Sequence, residues 1–369
     1  MRTSSVWAVG LACSLFSGAC ASAEQPNCPY KGLAAGEREP GRTAVTPAVP
    51  NLPPLPESVL ADQIALATLP VGFVRTEDGR IYCEKDGAEM VLVPWEGFTE
   101  FSKTLDPVIE GVFVMGDDSS TEADEKPAHC VSLSRCLLDR HEVTNAQFAK
   151  FVAETGYRTD AEEQGVAHAL VGDSFIDIKG ADWRHPGGPG TSVDGLDSHP
   201  VVLVSWNDAR AYGEWAGRRL PTEAEFERVL RGGVHAAKYP WGDGEVPPPA
   251  SVNLSDEAAK RAHGKWVGIP GYEDGFAGTA PVGTFPQNAF GLFDVSGNVW
   301  EWCSDWYSPD YYGRTPALDP TGDYSGVRRV YRGGGWDCDL FGARCSCRNS
   351  GKPGLRLPYL GFRAAMDLR

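Results

Sequence analysis

Positive charge is scarce in this chain: 34 Lys and Arg face 50 Asp and Glu, a formal charge of −16 over 369 residues. Such a surface repels phosphate backbones, which excludes nucleic acid as a partner. It suits a soluble protein that holds hard cations through carboxylates. Only seven histidines are present, and none falls in an H-E-x-x-H or similar metal spacing. Ser205 lies outside any G-x-S-x-G turn, so its hydroxyl reads as a helix cap rather than a nucleophile. Beyond the first two dozen residues no apolar run approaches the ~18 needed to span a membrane. Long helical stretches are lacking as well. The 43 glycines, 28 prolines and 11 tryptophans instead describe a loop-rich body, because Gly and Pro punctuate elements and are costly inside helices.

Residues 1–23 read as an export signal. Arg2 supplies the positive start, Val6 to Phe16 the apolar stretch, and Ala21-Ser22-Ala23 a cleavage site before Glu24. Cys20, after Ser17-Gly18-Ala19, also fits a weak lipobox, so soluble export and a lipid anchor at Cys20 both stay open. The chain is expected in the periplasm, at the cell surface or outside the cell, meeting a membrane only through that anchor. It is expected to act as a monomer.

Export implies an oxidising compartment, where thiols tend to pair. Eight cysteines lie beyond the signal: Cys28, Cys83, Cys130, Cys136, Cys303, Cys338, Cys345 and Cys347. If Cys130 to Cys136 is one strand, the two Cα atoms lie about 20 Å apart, beyond the ~7 Å reach of a disulfide. Cys28 with Cys83 is the preferred pair, since both sit in the segment before the main domain.

That segment, residues 24–86, reads as an extension. Pro47, Pro50, Pro53, Pro54 and Pro56 make its middle a semi-rigid spacer, with a short helix expected from Glu57 to Ala67. The main domain spans residues 87–369. Strands are expected at Met90–Pro94, Val112–Gly116 and Val131–Leu138, with Trp95 to Glu110 as a loop insertion. Helices are expected to start at Thr144, Ser205 and Thr222, each followed by a capping partner and by apolar residues at helical spacing. Short strands and glycine turns fill the rest. The fold class is an irregular α+β domain.

Several stretches carry a resemblance in order and spacing. They are Met90-Val91-Leu92-Val93-Pro94, Glu142-Val143-Thr144-Asn145, Val204-Ser205-Trp206 and Arg219-Leu220-Pro221-Thr222-Glu223-Ala224-Glu225. Tyr239-Pro240-Trp241-Gly242, Gly297-Asn298-Val299-Trp300-Glu301-Trp302, Arg332-Gly333-Gly334 and Leu360-Gly361-Phe362-Arg363 complete the series. Residues 87–367 thereby resemble the formylglycine-generating enzyme, or sulfatase-modifying factor, family. That resemblance implies a domain poor in regular structure and related to C-type lectins.

It also implies two structural calcium ions. The first family site falls on the side chains of Asn253 and Asp274 with the carbonyls of Leu254 and Phe276. The second falls on Asp294 and Glu301 with the carbonyls of Gly297 and Val299. Calcium takes six to eight oxygens, and glycine-rich turns can aim carbonyls inward where a helix or strand cannot.

Family members of the oxidase type hold Cu(I) between two cysteines in a C-x4-C arrangement after the Gly-Gly motif, and convert a cysteine in a C-x-P-x-R peptide to formylglycine with O2. Aligned on Arg348, Cys345 takes the second copper position and Leu340 the first, so no C-x4-C remains. Cys345 and Cys347, two apart on an extended strand, would point to opposite faces. Cys338 and Cys345 are the candidate catalytic pair. A disulfide between them is the expectation over copper, with free buried thiols the remaining alternative. Two readings of function follow. One is an oxidase acting on a cysteine of an exported protein or peptide, or a relative that has lost copper. The other is a non-catalytic, calcium-stabilised module that binds peptide or carbohydrate.

Overall fold

The computed structural model describes residues 52–93, 112–233, 237–264 and 266–368. The leader, Cys20, Cys28 and the whole of the expected 95–110 insertion lie outside them. In chain order the elements are α1 (Glu57–Ala65), β1 (Phe73–Arg75), β2 (Ile81–Cys83), β3 (Glu89–Leu92), β4 (Val112–Met115), β5 (His129–Ser132) and β6 (Cys136–Asp139). Then come α2 (Asn145–Thr155), α3 (Asp160–Gln164), β7 (Val166–Val171), β8 (Ser174–Lys179), α4 (Trp206–Trp215), α5 (Glu223–Arg231) and α6 (Glu257–Ala262). The last are β9 (Trp300–Trp306), β10 (Arg329–Arg332), β11 (Asn349–Gly351), β12 (Leu360–Gly361) and β13 (Ala365–Asp367). Short elements separated by long turns make this the irregular α+β domain that the composition called for.

The three expected helices form, and for the expected reason. Thr144, Ser205 and Thr222 each accept the backbone N–H three residues on, while Gln147, Asp208 and Glu225 reach back to the cap residue's own N–H. Two orphan donors are thereby satisfied at each start. The helix α2 stops at Gly156 and α5 at Gly232, both left-handed, as helix C-termini favour.

Two expectations fail. Residues 131–138 are not one strand: the chain breaks at 133–135, sending β5 to pair with β4 and β6 into another sheet. Cys130 and Cys136 are separated by that switch, and Cys136 is a buried free thiol. The second correction concerns residues 52–86, read as part of a spacer. They belong to the domain. Strands β1 and β2 extend an antiparallel sheet in the order β1-β2-β3-β6-β13. The helix α1 is pinned through Gln63, which accepts the Leu92 N–H at 2.9 Å and donates to the Gly79 carbonyl at 3.3 Å. Cys83 is a buried free thiol facing the Ala216 carbonyl. Its suggested partner, Cys28, is not among the described residues.

A second sheet, ordered β11-β10-β9-β12, carries the site. The short β12 runs parallel to β9, and the other pairings are antiparallel. Trp302 is fully buried on β9 and meets Tyr331 of β10 edge to face at 5.3 Å. Trp300 meets the same tyrosine at 5.3 Å. Each such pair adds about 0.5–1.5 kcal/mol beyond area burial, so the platform under the next loop is rigid. Among the described residues no helix is long and apolar enough to cross a membrane.

Candidate functional site

The chain leaves β10 through Gly333 and Gly334, both at positive φ, and then doubles back over residues 335–347 in a series of turns. Two glycines let it pack. A Cβ on Gly334 would lie 2.9 Å from the Gly342 carbonyl oxygen, and one on Gly342 would lie 2.7 Å from Cys338 Sγ. Real Cβ atoms do not approach that closely, so both positions need glycine to let the turns nest around one sulfur.

That sulfur is the chemically prominent atom. Cys338 is half-buried. Trp300 Nε1 donates to Sγ at 3.1 Å, and the thiol donates towards Asp337 Oδ1 at 3.5 Å. Burial pushes the thiol well above its usual range, and the Asp337 charge adds to the effect. Cys347 is the second thiol to set beside Cys338, buried and pushed up to about 12. They also share one hydrophobic cluster with Trp300 and Tyr331. Burial likewise raises Asp337, to about 7.

Cys345 faces elsewhere. It is fully buried, its Sγ lies 3.9 Å from the Leu230 carbonyl, and its charged neighbours are Arg231, Glu227 and Arg332. Burial pushes it up to about 12. Cys338, Cys345 and Cys347 are all free thiols, so the expected Cys338–Cys345 disulfide is absent. The reason is local. Residues 342–347 form turns, not a strand, and the Cys345 N–H is tied to the Lys238 carbonyl at 2.9 Å. The expectation that Cys345 and Cys347 point to opposite faces assumed an extended strand, and these turns replace it. That Cys347, and not Cys345, shares a hydrophobic cluster with Cys338 does not follow from spacing. Leu340 packs partly exposed beside Trp241 and Cys338.

An aromatic face borders the thiols. Trp336 and Trp266 stack at 5.4 Å with planes 10° apart, and Phe175 meets Trp266 at 5.6 Å and Tyr359 at 5.0 Å. Tyr359 packs against the same hydrophobic cluster as Cys338. The β7–β8 hairpin that delivers Phe175 is fastened at its tip. Trp266 Nε1 donates to the Asp173 carbonyl at 3.3 Å, and His263 contacts the Gly172 and Ala277 carbonyls. No sequence signal singles out the rings Phe175, Trp266 and Tyr359, because they meet only in three dimensions.

The two expected calcium sets differ in how ready they are. At the first, Asp274 Oδ2 accepts the Leu254 N–H at 2.9 Å and Oδ1 the Phe276 N–H at 2.8 Å, which gathers three of the four named residues. The fourth, Asn253, is buried, and its Oδ1 has no hydrogen-bond partner. A buried acceptor left unpaired costs about 1–3 kcal/mol, so this oxygen calls for a cation or a donor. Burial raises Asp274 to about 7.

At the second set, Arg363 holds both oxygens of Glu301 at 2.7–3.0 Å and also donates to the Phe293 and Asp294 carbonyls. Asp294 Oδ2 accepts the Gly283 N–H at 2.7 Å. Gly297 and Val299 are buried in the turn that joins Asp294 to Glu301. Glu142, which the sequence marked only as part of a motif, joins this group. Burial, then Asp294 and Glu301, raise it well above the carboxylate range, and its Oε2 is unpartnered. Among the described residues no three His, Cys, Asp or Glu side chains converge on one point suited to a metal. Calcium at either place would therefore depend on carbonyls and the asparagine as well as carboxylates.

Comparison with known proteins places this geometry. Residues 102–368 match the family described as "Sulfatase-modifying factor enzyme 1-like domain". The chain is 40% identical to the "Formylglycine-generating enzyme" of Thermomonospora curvata over 304 residues, covering 74% of this chain and 97% of that protein. It is 42% identical to the protein of the same name from Streptomyces coelicolor over 279 residues, 70% of this chain and 87% of that one. It is also 38% identical to "Inactive C-alpha-formylglycine-generating enzyme 2" of Bos taurus, over 69% of this chain and 85% of that protein. Among solved structures, PvdO from Pseudomonas aeruginosa is similar with a TM-score of 0.56 and 25% identity, covering 82% of this chain and all of that one.

Proposed function

The chain belongs to the sulfatase-modifying factor family, and from that premise we propose that it is an oxidase of the formylglycine-generating type, acting on a cysteine of an exported polypeptide. One observation carries this reading: a half-buried Cys338 sulfur is held by the Trp300 N–H, with a second, buried thiol, Cys347, in the same hydrophobic cluster. Two soft sulfur donors fit cuprous ion, so Cys338 and Cys347 would hold it, with Cys347 rather than Cys345 as partner. When bound, the copper supplies O2 activation and a place for a third, substrate thiolate. In the overall change the substrate's thiol-bearing methylene, one O2, two protons and two electrons from an external thiol reductant become an aldehyde, one hydrogen sulfide and one water.

The chain's own residues set the stage. The Trp300 N–H fixes the Cys338 sulfur and favours its ionised form, because a donated hydrogen bond stabilises the charge. Asp337 Oδ1 is placed to take the thiol proton. Phe175, Trp266 and Tyr359 offer an apolar bed for the partner chain and keep water from the sulfurs.

The test incubates the full chain with Cu(I), O2, a thiol reductant and a C-x-P-x-R peptide, and follows replacement of the peptide thiol by an aldehyde by mass spectrometry. Catalytic turnover is expected. A second reading, a non-catalytic peptide- or carbohydrate-binding module, draws on the missing C-x4-C spacing and on the similarity to a relative named as inactive. Peptide binding without turnover in the same assay selects it.

Calcium is the other part of the proposal, at Asn253, Leu254, Asp274 and Phe276 first, and at Asp294, Gly297, Val299 and Glu301 second. Saturating calcium at about 100 times Kd should stabilise the fold by about 2.7 kcal/mol per site. A thermal melt with EGTA should fall below the calcium-loaded one, and Asn253→Ala should shrink that gap. Identical melts with and without EGTA would remove calcium from the account.

A further inference from the structure

The first calcium set meets the thiol loop through one peptide unit. Leu254, whose carbonyl is a proposed ligand, is joined to Ser255, and the Ser255 N–H donates to the Cys338 carbonyl at 2.7 Å. A peptide unit is planar and trans, so its C=O and its N–H point in opposite directions and turn together. An orientation that aims the Leu254 carbonyl at a cation therefore also fixes where the Ser255 N–H points. The charge acts as well as the geometry. A cation on the carbonyl oxygen draws electron density from the amide, and polarised groups strengthen the hydrogen bonds they make in turn.

Neighbouring groups hold this unit from both sides. On the ligand side, Asp274 Oδ2 accepts the Leu254 N–H at 2.9 Å, and Asp256 Oδ2 accepts the Asp274 N–H at 2.6 Å. Asn253 Nδ2 donates to the Gly278 carbonyl at 2.9 Å and to Asn298 Oδ1 at 3.1 Å. Its Oδ1 is the buried atom without a partner, and it fits a cation. On the thiol side, Ser255 reaches both parts of the site. Its carbonyl accepts the Ile269 N–H at 2.9 Å, and its hydroxyl donates to the Val267 carbonyl at 3.4 Å. Both partners lie in the segment that follows Trp266 of the aromatic face. The Ser255 N–H holds the backbone of the residue whose sulfur accepts from Trp300 Nε1. Asn253, Leu254 and Ser255 are all buried, so water competes little for these bonds.

We infer that Ser255 is a positioning residue, through which a cation at Asn253 and Leu254 restrains Cys338 and sets its sulfur beneath Trp300. The inference rests on the calcium reading of the first set and requires no oxidase activity.

The test reads the thiol rather than turnover. The full chain is treated with iodoacetamide in calcium or in EGTA, and mass spectrometry follows the alkylation of each cysteine. Reaction times are kept short enough that Cys303 and Cys345, both fully buried, stay unmodified in either condition. Calcium should slow alkylation of Cys338 about tenfold, and Asn253→Ala should abolish that protection. Ser255→Pro removes the N–H but leaves all four named ligands. It should still bind calcium by titration calorimetry, yet its Cys338 should react equally fast in calcium and EGTA. Should that variant fail to fold, exchange of the Ser255 amide hydrogen in the parent carries the same test, and calcium should slow it about tenfold. Calcium binding with an unchanged Cys338 rate overturns the inference and leaves the calcium reading standing. So does protection that survives in Ser255→Pro, or alkylation of Cys338 only in step with Cys303 and Cys345, which marks opening of the whole domain. An absence of calcium binding removes the calcium reading and the inference with it.

Discussion

Cys338→Ser should lower turnover of a cysteine peptide by on the order of 10³-fold or more, the scale seen when one member of a catalytic unit is lost. Cys347→Ala should do the same, and Cys345→Ala should leave turnover within about threefold of the parent. The contrast follows from where the sulfurs point. Cys338 is half-buried beside Trp300, and Cys347 belongs to the same hydrophobic cluster. Cys345 is sealed against Leu230 among Arg231, Glu227 and Arg332. Its removal should cost stability instead, because a fully buried side chain leaves a small void. Steady-state kinetics on the three variants, with circular dichroism to confirm folding, separates the two roles. Loss of activity in Cys345→Ala with a normal fold would show that the wrong sulfur has been assigned.

Arg363→Met should cost about 3–5 kcal/mol of folding stability, the penalty for removing one partner of a buried ion pair. Arg363 is fully buried and is the cation that faces Glu301, Asp294 and Glu142 together. It also satisfies the Phe293 and Asp294 carbonyls and, more weakly, that of Asp139 at 3.3 Å. Methionine fills much of the space but offers none of those hydrogen bonds. Urea denaturation measures the loss. Adding Glu301→Gln to Arg363→Met should recover part of it, because the stranded charge is then removed as well. A loss below about 1 kcal/mol would mean that water reaches this cluster and that the carboxylates need no buried counter-charge.

Much of this molecule was legible in the chain. Helix starts were written in local chemistry: Thr144 with Gln147, Ser205 with Asp208 and Thr222 with Glu225 each act within four residues, so no tertiary knowledge was needed. The family motifs marked Trp300, Glu301 and Gly333-Gly334, which do frame the thiol loop. The first-site residues Leu254, Asp274 and Phe276 are joined through the Asp274 carboxylate.

What stayed hidden depended on contacts between distant segments. Proline density at 47–56 argued for a spacer, yet Gln63 and the strands β1 and β2 bind the stretch after it into the main sheet. Spacing alone could weigh Cys338 against Cys345, but it could not show that the Lys238 carbonyl anchors the Cys345 N–H. The aromatic face unites residues 175, 266, 336 and 359, too far apart for any periodicity to link. Glu142 read as a motif letter, and only its burial beside Asp294 and Glu301 reveals how far its carboxyl is pushed up.

Mild oxidation with diamide, followed by mass-spectrometric mapping of the resulting disulfides, tests the pairing of sulfurs most directly. A Cys338–Cys347 link should form in the parent and in Cys345→Ala, and no link to Cys338 should form in Cys347→Ala. A Cys338–Cys345 link that persists in Cys347→Ala would contradict the arrangement on which the proposed chemistry depends.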